Sequence, residues 1–230
     1  GDYAFAKNSI LSSVVIPESL KIIEANAFQD CQSISKIYIT DIAKWCNIMF
    51  YNHYANPLIY CYNYFSKYGK YCYLYLNGSP VTDLVIPENT EKISSNAFIN
   101  YTHLKSVTLP DSLKSIGEDA FYGTDQMESV FISNMSSWLS IDFGNGLANP
   151  LAWSDTSKLY LNGNLVTSVK APDDIKEIKS YAFYGYSTLE EFEFHSEIDN
   201  IGASVFNETA IYNNTENWEN NILYIDDYLI

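Results

Sequence analysis

Leu104-Lys-Ser-Val-Thr-Leu-Pro-Asp-Ser-Leu-Lys-Ser-Ile-Gly-Glu-Asp-Ala-Phe121 is the stretch that decides the fold. Apolar residues stand at its positions 1, 4 and 6 (Leu104, Val107, Leu109). Positions 3 and 5 are Ser106 and Thr108. Alternation of period two reads as a short strand with one face buried. Pro110 ends it, because proline has no N–H for a ladder. Ile116 and Ala120-Phe121 follow at fixed offsets from the proline.

The same phrase recurs along the chain. Ala-Phe stands at Ala4-Phe5, Ala27-Phe28, Ala97-Phe98, Ala120-Phe121 and Ala182-Phe183, with Val205-Phe206 as a variant. The phenylalanines fall in pairs 23 residues apart: 5 and 28, 98 and 121, 183 and 206. Strand signals repeat with them, as Leu11, Val14, Ile16 and as Leu189, Phe192, Phe194. One such repeat cannot bury its own apolar edge, but stacked copies make a continuous core. A longer period lies over the short one. Trp45 and Trp138 are 93 apart, as are Pro57 and Pro150. Each unit is therefore two short repeats and an insert that reads Trp, Asn-Pro-Leu, then Tyr-Leu-Asn-Gly. These units divide the chain into modules 1–86, 87–171 and 172–230 of one domain. The chain opens inside the pattern, so it is expected to be a piece of a longer array.

Asn77-Gly78 and Asn162-Gly163 between apolar alternations predict tight hairpins, since both turn residues take positive φ readily. Tyr73–Leu76 is the expected outgoing strand. Val81, Leu84 and Ile86 are the expected return, doubling as the next ladder strand. Asp41–Cys46 is expected to form a short helix, with little helix elsewhere. The third module departs from the pattern: His195 replaces the proline, and Phe206 to Trp218 spans 12 residues where the earlier copies span 17.

The chain of 230 residues carries 28 acidic and 13 basic residues, a formal charge of −15, and every basic residue is lysine. Nucleic acid is excluded as a partner, because phosphate neutralisation and guanine readout rely on clustered Lys and Arg. No apolar run reaches the roughly 20 residues that span a bilayer, so direct membrane insertion is not expected. The acids sit largely at turns and strand edges, such as Glu18, Asp111, Asp173 and Glu190-Glu191. There they discourage association of open-edged strands.

The run Leu104–Phe121 resembles the BspA-like leucine-rich repeat, and so does Leu11–Cys31 with its Pro-Glu-Ser-Leu and Ala-Phe-Gln-Asp-Cys. The Trp, Asn-Pro-Leu and Leu-Asn-Gly insert is similar to segments between repeats of that family. The resemblance covers essentially the whole chain. It implies a right-handed leucine-rich-repeat solenoid of the α/β horseshoe class, rich in β and poor in helix, with parallel short strands and hairpin inserts. It also implies a secreted or cell-surface protein that acts as an adhesin on host matrix or neighbouring cells, in bacteria and some protozoa. No catalytic residue is carried over with it.

In such a scaffold strand positions 3 and 5 face outward, and the contact candidates are read there. Position 3 offers Lys36. Position 5 offers Tyr38, Phe131, Lys170, Glu193 and, by approximate alignment, Tyr212. Two outcomes stand open for Tyr38 and Phe131: exposure as ligand contacts, or cover by the insert. The first insert is dense in tyrosine, with nine between 51 and 75. Tyr62, Tyr64 and Tyr68 are contact candidates there, because tyrosine offers a large amphipathic surface at low entropy cost. Tyrosine also simply suits strands.

Chemistry is thinly supplied. Cys46 with His53 is the one thiol–imidazole pairing to consider, and no phosphate loop, nucleophile elbow or zinc motif is present. Asp173-Asp174 and Asp226-Asp227 lack the alternating spacing of a calcium loop. No cofactor or metal is expected. Cys31 and Cys46 read as buried thiols. Cys61 and Cys72 lie in the region where the first insert is eight residues longer than the second. If that surplus extends a hairpin they face each other, and an oxidising compartment allows a disulfide; otherwise both remain thiols. The expected function is a non-catalytic, monomeric recognition or adhesion module for proteins. The alternatives are carbohydrate binding through the tyrosine-rich insert, and a passive spacer that carries another domain.

Overall fold

The computed structural model describes residues 1–61, 72–225 and 228–229. Successive repeats pair as parallel strands, three residues deep, and one 23-residue step moves the chain one strand along. Ser13–Val15 pairs with Lys36–Ile39 in the register Val14 to Ile37. Asp83–Val85, Ser106–Thr108 and Ser129–Ile132 continue in the same way, as do Ser168–Lys170 and Glu191–Glu193. The period-two reading holds at each: Leu84, Val107, Val130 and Val169 are buried at position 4, while Ser13, Asp83 and Glu191 face out.

A second parallel ladder joins the segments after the prolines. Ile22–Ile23 pairs with Met49–Phe50, Lys92–Ile93 with Ser115–Ile116 and that with Asp142–Phe143, and Glu177–Ile178 with Asn200–Ile201. A third line of bonds joins the Ala-Phe turns: Phe5 N donates to Ala27 O (2.8 Å), Phe98 N to Ala120 O (2.8 Å) and Phe183 N to Val205 O (3.1 Å). Phe28, Phe98, Phe121, Phe183 and Phe206 are buried at 2% exposure or less. Their rings stack between coils, as with Phe98 on Phe121 at 5.4 Å. Burying each such side chain contributes roughly 2–3 kcal/mol. The approach of coil to coil is close enough that a Cβ added at Gly117 would stand 2.4 Å from Ser95 N.

The inserts are built alike. Ile42–Cys46 and Met135–Leu139 are short helices capped by Asp41 and Asn134, and they bury Trp45 and Trp138. Each insert then returns to the first ladder: Tyr73–Leu76 pairs parallel with Lys36–Ile39, and Lys158–Leu161 with Ser129–Ile132. The Asn-Gly turns follow, with φ of 50° and 85° at Asn77-Gly78 and 50° and 79° at Asn162-Gly163.

One expectation is corrected here. The return from the hairpin is only Ser79–Pro80, antiparallel to Tyr73–Leu76, and it does not double as the next ladder strand. A two-residue turn can place its return strand only antiparallel, whereas a parallel neighbour needs a crossover. Asp83–Val85 therefore starts a new ladder. Two buried tyrosines bridge this joint. Tyr101 OH donates to Val81 O (2.5 Å) and accepts from Leu74 N (3.3 Å). Tyr186 OH does the same with Val166 O (2.5 Å) and Leu159 N (3.3 Å).

Candidate functional site

The outward faces of two separate sheets, one starting at Ser13–Val15 and the other at Asp83–Val85, gather most of the sequence candidates. Strand register makes a row of Val15, Tyr38 and Tyr75, and a second row of Val85, Thr108, Phe131 and Tyr160. Tyr38 and Tyr75 lie with ring centroids 5.0 Å apart, and Phe131 and Tyr160 stack at 5.2 Å. All four rings are partly exposed. Val15 and Val85, which flank them, are 73% and 63% exposed. Among the described residues, what each insert lays beside Tyr38 and Phe131 is a paired strand. The insert re-enters as a strand and sets a second ring beside each, because Tyr-Leu-Asn-Gly places its tyrosine at the outward position. Adjacent rings held on paired strands form a rigid aromatic patch with little side-chain freedom left to lose.

Lys36 is exposed beside this patch, in register with Ser13 and Tyr73. Lys170 and Glu193 also face outward, but on a separate ladder, where they form an ion pair at 2.7 Å. Both side chains are largely solvated, so the pair adds little to stability. Glu193 holds the Lys170 ammonium above its ordinary range by accepting its hydrogen bond.

Tyr212 is placed differently from its expected strand position. It lies in the helix Ala210–Asn213, whose N-cap is Thr209, and its ring packs edge-on against Trp218 at 5.1 Å. The five residues missing between Phe206 and Trp218 leave no room for a strand, so the helix begins at once. Tyr62, Tyr64 and Tyr68 lie outside the described residues. Cys61 and Cys72 are joined by a disulfide, with Cα atoms 4.7 Å apart.

Cys46 and His53 sit in different surroundings. Cys46 is fully buried, and desolvation pushes its thiol far above the ordinary range. His53 is exposed, and its Nε2 lies 3.0 Å from Asp119 Oδ2. Asp174 accepts a hydrogen bond from Ser136 Oγ (2.7 Å), and Asp226-Asp227 lies outside the described residues. Among the described residues no group of three or more His, Cys, Asp or Glu side chains is gathered to hold a metal. No helix among them is long and apolar enough to cross a membrane.

Sequence reasoning missed Tyr75 and Tyr160 as partners of Tyr38 and Phe131, and Tyr101 and Tyr186 as the clamps behind them. A signal for the clamps exists. Tyrosine stands three residues after Phe98 and Phe183, the two repeats that follow a hairpin, and after none of the other four phenylalanines of the pattern.

Residues 1–77, 69–143 and 156–229 match the BspA type leucine rich repeat region in six copies. No curated protein matches the chain. Three solved structures are similar. A leucine-rich repeat protein from Bacteroides ovatus is 17% identical over 90% of this chain and 61% of its own, with a TM-score of 0.36. One from Eubacterium ventriosum is 17% identical over 91% and 62%, with a TM-score of 0.41. A leucine rich cell surface protein from Faecalibacterium prausnitzii is 20% identical over 88% and 60%, with a TM-score of 0.38. The chain thus spans about three fifths of the length of each.

Proposed function

The chain belongs to the BspA-type leucine-rich repeat family, and on that premise we propose that it is a non-catalytic recognition module of a secreted or cell-surface protein. It binds proteins of a host or of a neighbouring cell. Its scaffold is a right-handed solenoid of three modules, monomeric, that presents one strand face to the ligand. The observation that carries this reading is the pair of ring clusters on that face, Tyr38 with Tyr75 and Phe131 with Tyr160. Exposed aromatics on a rigid frame are the residues that dominate protein interfaces. A non-catalytic role is supported by the burial of Cys46, which keeps its thiol protonated, and by the pairing of the exposed His53 with Asp119.

Carbohydrate binding is the second reading. It rests on Tyr51 and Tyr54 in the first insert, 67% and 44% exposed, since a tyrosine ring also stacks on a sugar face. One experiment separates the two. The protein and its Tyr38→Ser/Phe131→Ser variant are assayed on immobilised matrix proteins and on a glycan array. Protein recognition by the ladder face predicts a matrix-protein signal that the variant loses at least ten-fold with an unchanged circular dichroism spectrum. Binding to glycans alone, insensitive to that variant, would favour the second reading. Binding to neither would leave a spacer.

A further inference from the structure

The third module lacks a strand that the other two have, and the edge left behind has the geometry of a peptide acceptor. In modules one and two the chain after the second phenylalanine forms Lys36–Ile39 and Ser129–Ile132. After Phe206 it forms the helix Ala210–Asn213 instead. Ile211 N still reaches Leu189 O (3.1 Å), and the chain then turns off. Among the described residues the strand Glu191–Glu193 has a ladder neighbour on one side only, Ser168–Lys170.

The second module shows what this edge would otherwise hold. There Lys105 O accepts from Glu128 N (2.7 Å) and Leu109 N donates to Phe131 O (2.9 Å). The corresponding groups here are Glu190 O and Phe194 N, and among the described residues neither has a backbone partner. Beside them is a cleft of about 400 Å³, lined by Phe192, Glu193, Ile211, Asn217, Tyr224 and Ile225 among others. Ile225 belongs to Ile222–Ile225, which pairs only within the antiparallel sheet of the third insert. Phe192, Ile211 and Ile225 are themselves buried at 4% exposure or less.

We propose that this edge takes up an extended segment of a partner protein as an added parallel strand, reading basic–apolar–basic. Three to four residues of strand span roughly 10–13 Å, the depth of the other rungs. Main-chain bonds to Glu190 O and Phe194 N supply the register, and alternate side chains supply the choice. The central residue points inward at the level of Phe192, where only an apolar side chain fits without an unpaired polar group. The residues on either side stand beside Glu191 and Glu193 and are cations. The Lys170–Glu193 pair already shows such a match across one rung of this ladder. A second copy of this chain does not qualify, because no two lysines in its sequence stand two residues apart.

The test is calorimetric titration of the whole chain with the capped peptide Ser-Lys-Val-Lys-Ile-Ser, patterned on Glu128–Ser133. One-to-one binding is expected. It should weaken at least ten-fold with the charge-reversed peptide Ser-Glu-Val-Glu-Ile-Ser, and again with the first peptide N-methylated at its second lysine, the equivalent of Phe131, which keeps the charge and removes a backbone donor facing the edge. In the Glu191→Lys/Glu193→Lys variant the preference between the two charged peptides should reverse; both sites are exposed, so folding is not at stake. The proposal is overturned if the basic peptide fails to saturate, if N-methylation leaves binding unchanged, or if the chain self-associates and excludes the peptide. None of these readings depends on Tyr38 or Phe131, so the ladder face and the edge stand or fall separately.

Discussion

In the first insert Asn56 Nδ2 donates to Asn96 O (2.7 Å) and Ala97 O (3.1 Å), and its Oδ1 accepts from Leu58 N (2.9 Å). In the second, Asn149 makes the same three bonds, to Tyr181 O (2.8 Å), Ala182 O (3.1 Å) and from Leu151 N (2.9 Å). Between these clamps and the hairpins the two loops differ. The first closes on the Cys61–Cys72 disulfide. The second is eight residues shorter and has no cysteine; Trp153 packs there on Tyr122, centroids 4.4 Å apart. The tryptophans differ in their bonding too: Trp45 Nε1 donates to Ala97 O (3.0 Å), whereas Trp138 Nε1 is buried without a partner. What stays constant is the tie between an insert and the opening turn of the next module. The loop above it is free to change its means of closure.

If that tie is the shared joint, removing it should do equal harm in both inserts. Asn56→Ala and Asn149→Ala each delete the same three hydrogen bonds, although Ala97 O keeps its bond from Trp45 Nε1 in the first insert. A loss of about 3 kcal/mol is expected from each, read from denaturant midpoints. A loss at one site more than twice that at the other would break the equivalence. The next effect belongs to one insert alone. Cys61→Ser/Cys72→Ser, or reduction, reopens a loop of sequence separation 11 and should cost about 2–3 kcal/mol. Hydrogen exchange should rise in the first insert and not in the second.

The smallest difference depends on pH. His103 stacks on Tyr73 with centroids 4.2 Å apart, at the position where the third module has Thr188 beneath Lys158. Burial pushes the His103 imidazole below its ordinary range, offset in part by Asp125. The folded state therefore binds this proton less readily than the unfolded chain. The stability is present above the unfolded pKa of about 6.5 and is lost as pH falls through it toward the folded value. Between about pH 8 and about pH 5 the wild type should lose stability that His103→Thr does not lose. An equal loss in that variant would remove His103 from the account.

The fold was legible because each repeat states the same local facts. Leu104, Val107 and Leu109 alternate, Pro110 stops the strand, and Phe121 lands 23 residues after Phe98; burial then follows at every copy. Lys36, Tyr38, Phe131, Lys170 and Glu193 were placed on the outward face by that alternation alone. Tyr212 was not, because a deletion changes geometry at a point where pattern alignment still seems to run on. The bridging role of Tyr101 and Tyr186 was also hidden. Each bonds to residues 20 and 27 positions before it in the chain, and a phenol three residues past a phenylalanine has no local reason to be polar. Tyr75 and Tyr160 were read as hairpin residues, since the side on which an insert re-enters the ladder depends on contacts far along the chain.

The turn-to-turn bonds, such as Phe98 N to Ala120 O, have a mechanical meaning. A pull on the two ends of the array meets these bonds one coil at a time, as a zipper rather than in shear. Each 23-residue coil that opens is expected to pay out up to about 80 Å of chain. If the chain serves in the surface module proposed above, length released in such steps would cushion the attachment against sudden load, and the repeats would refold when the tension eased.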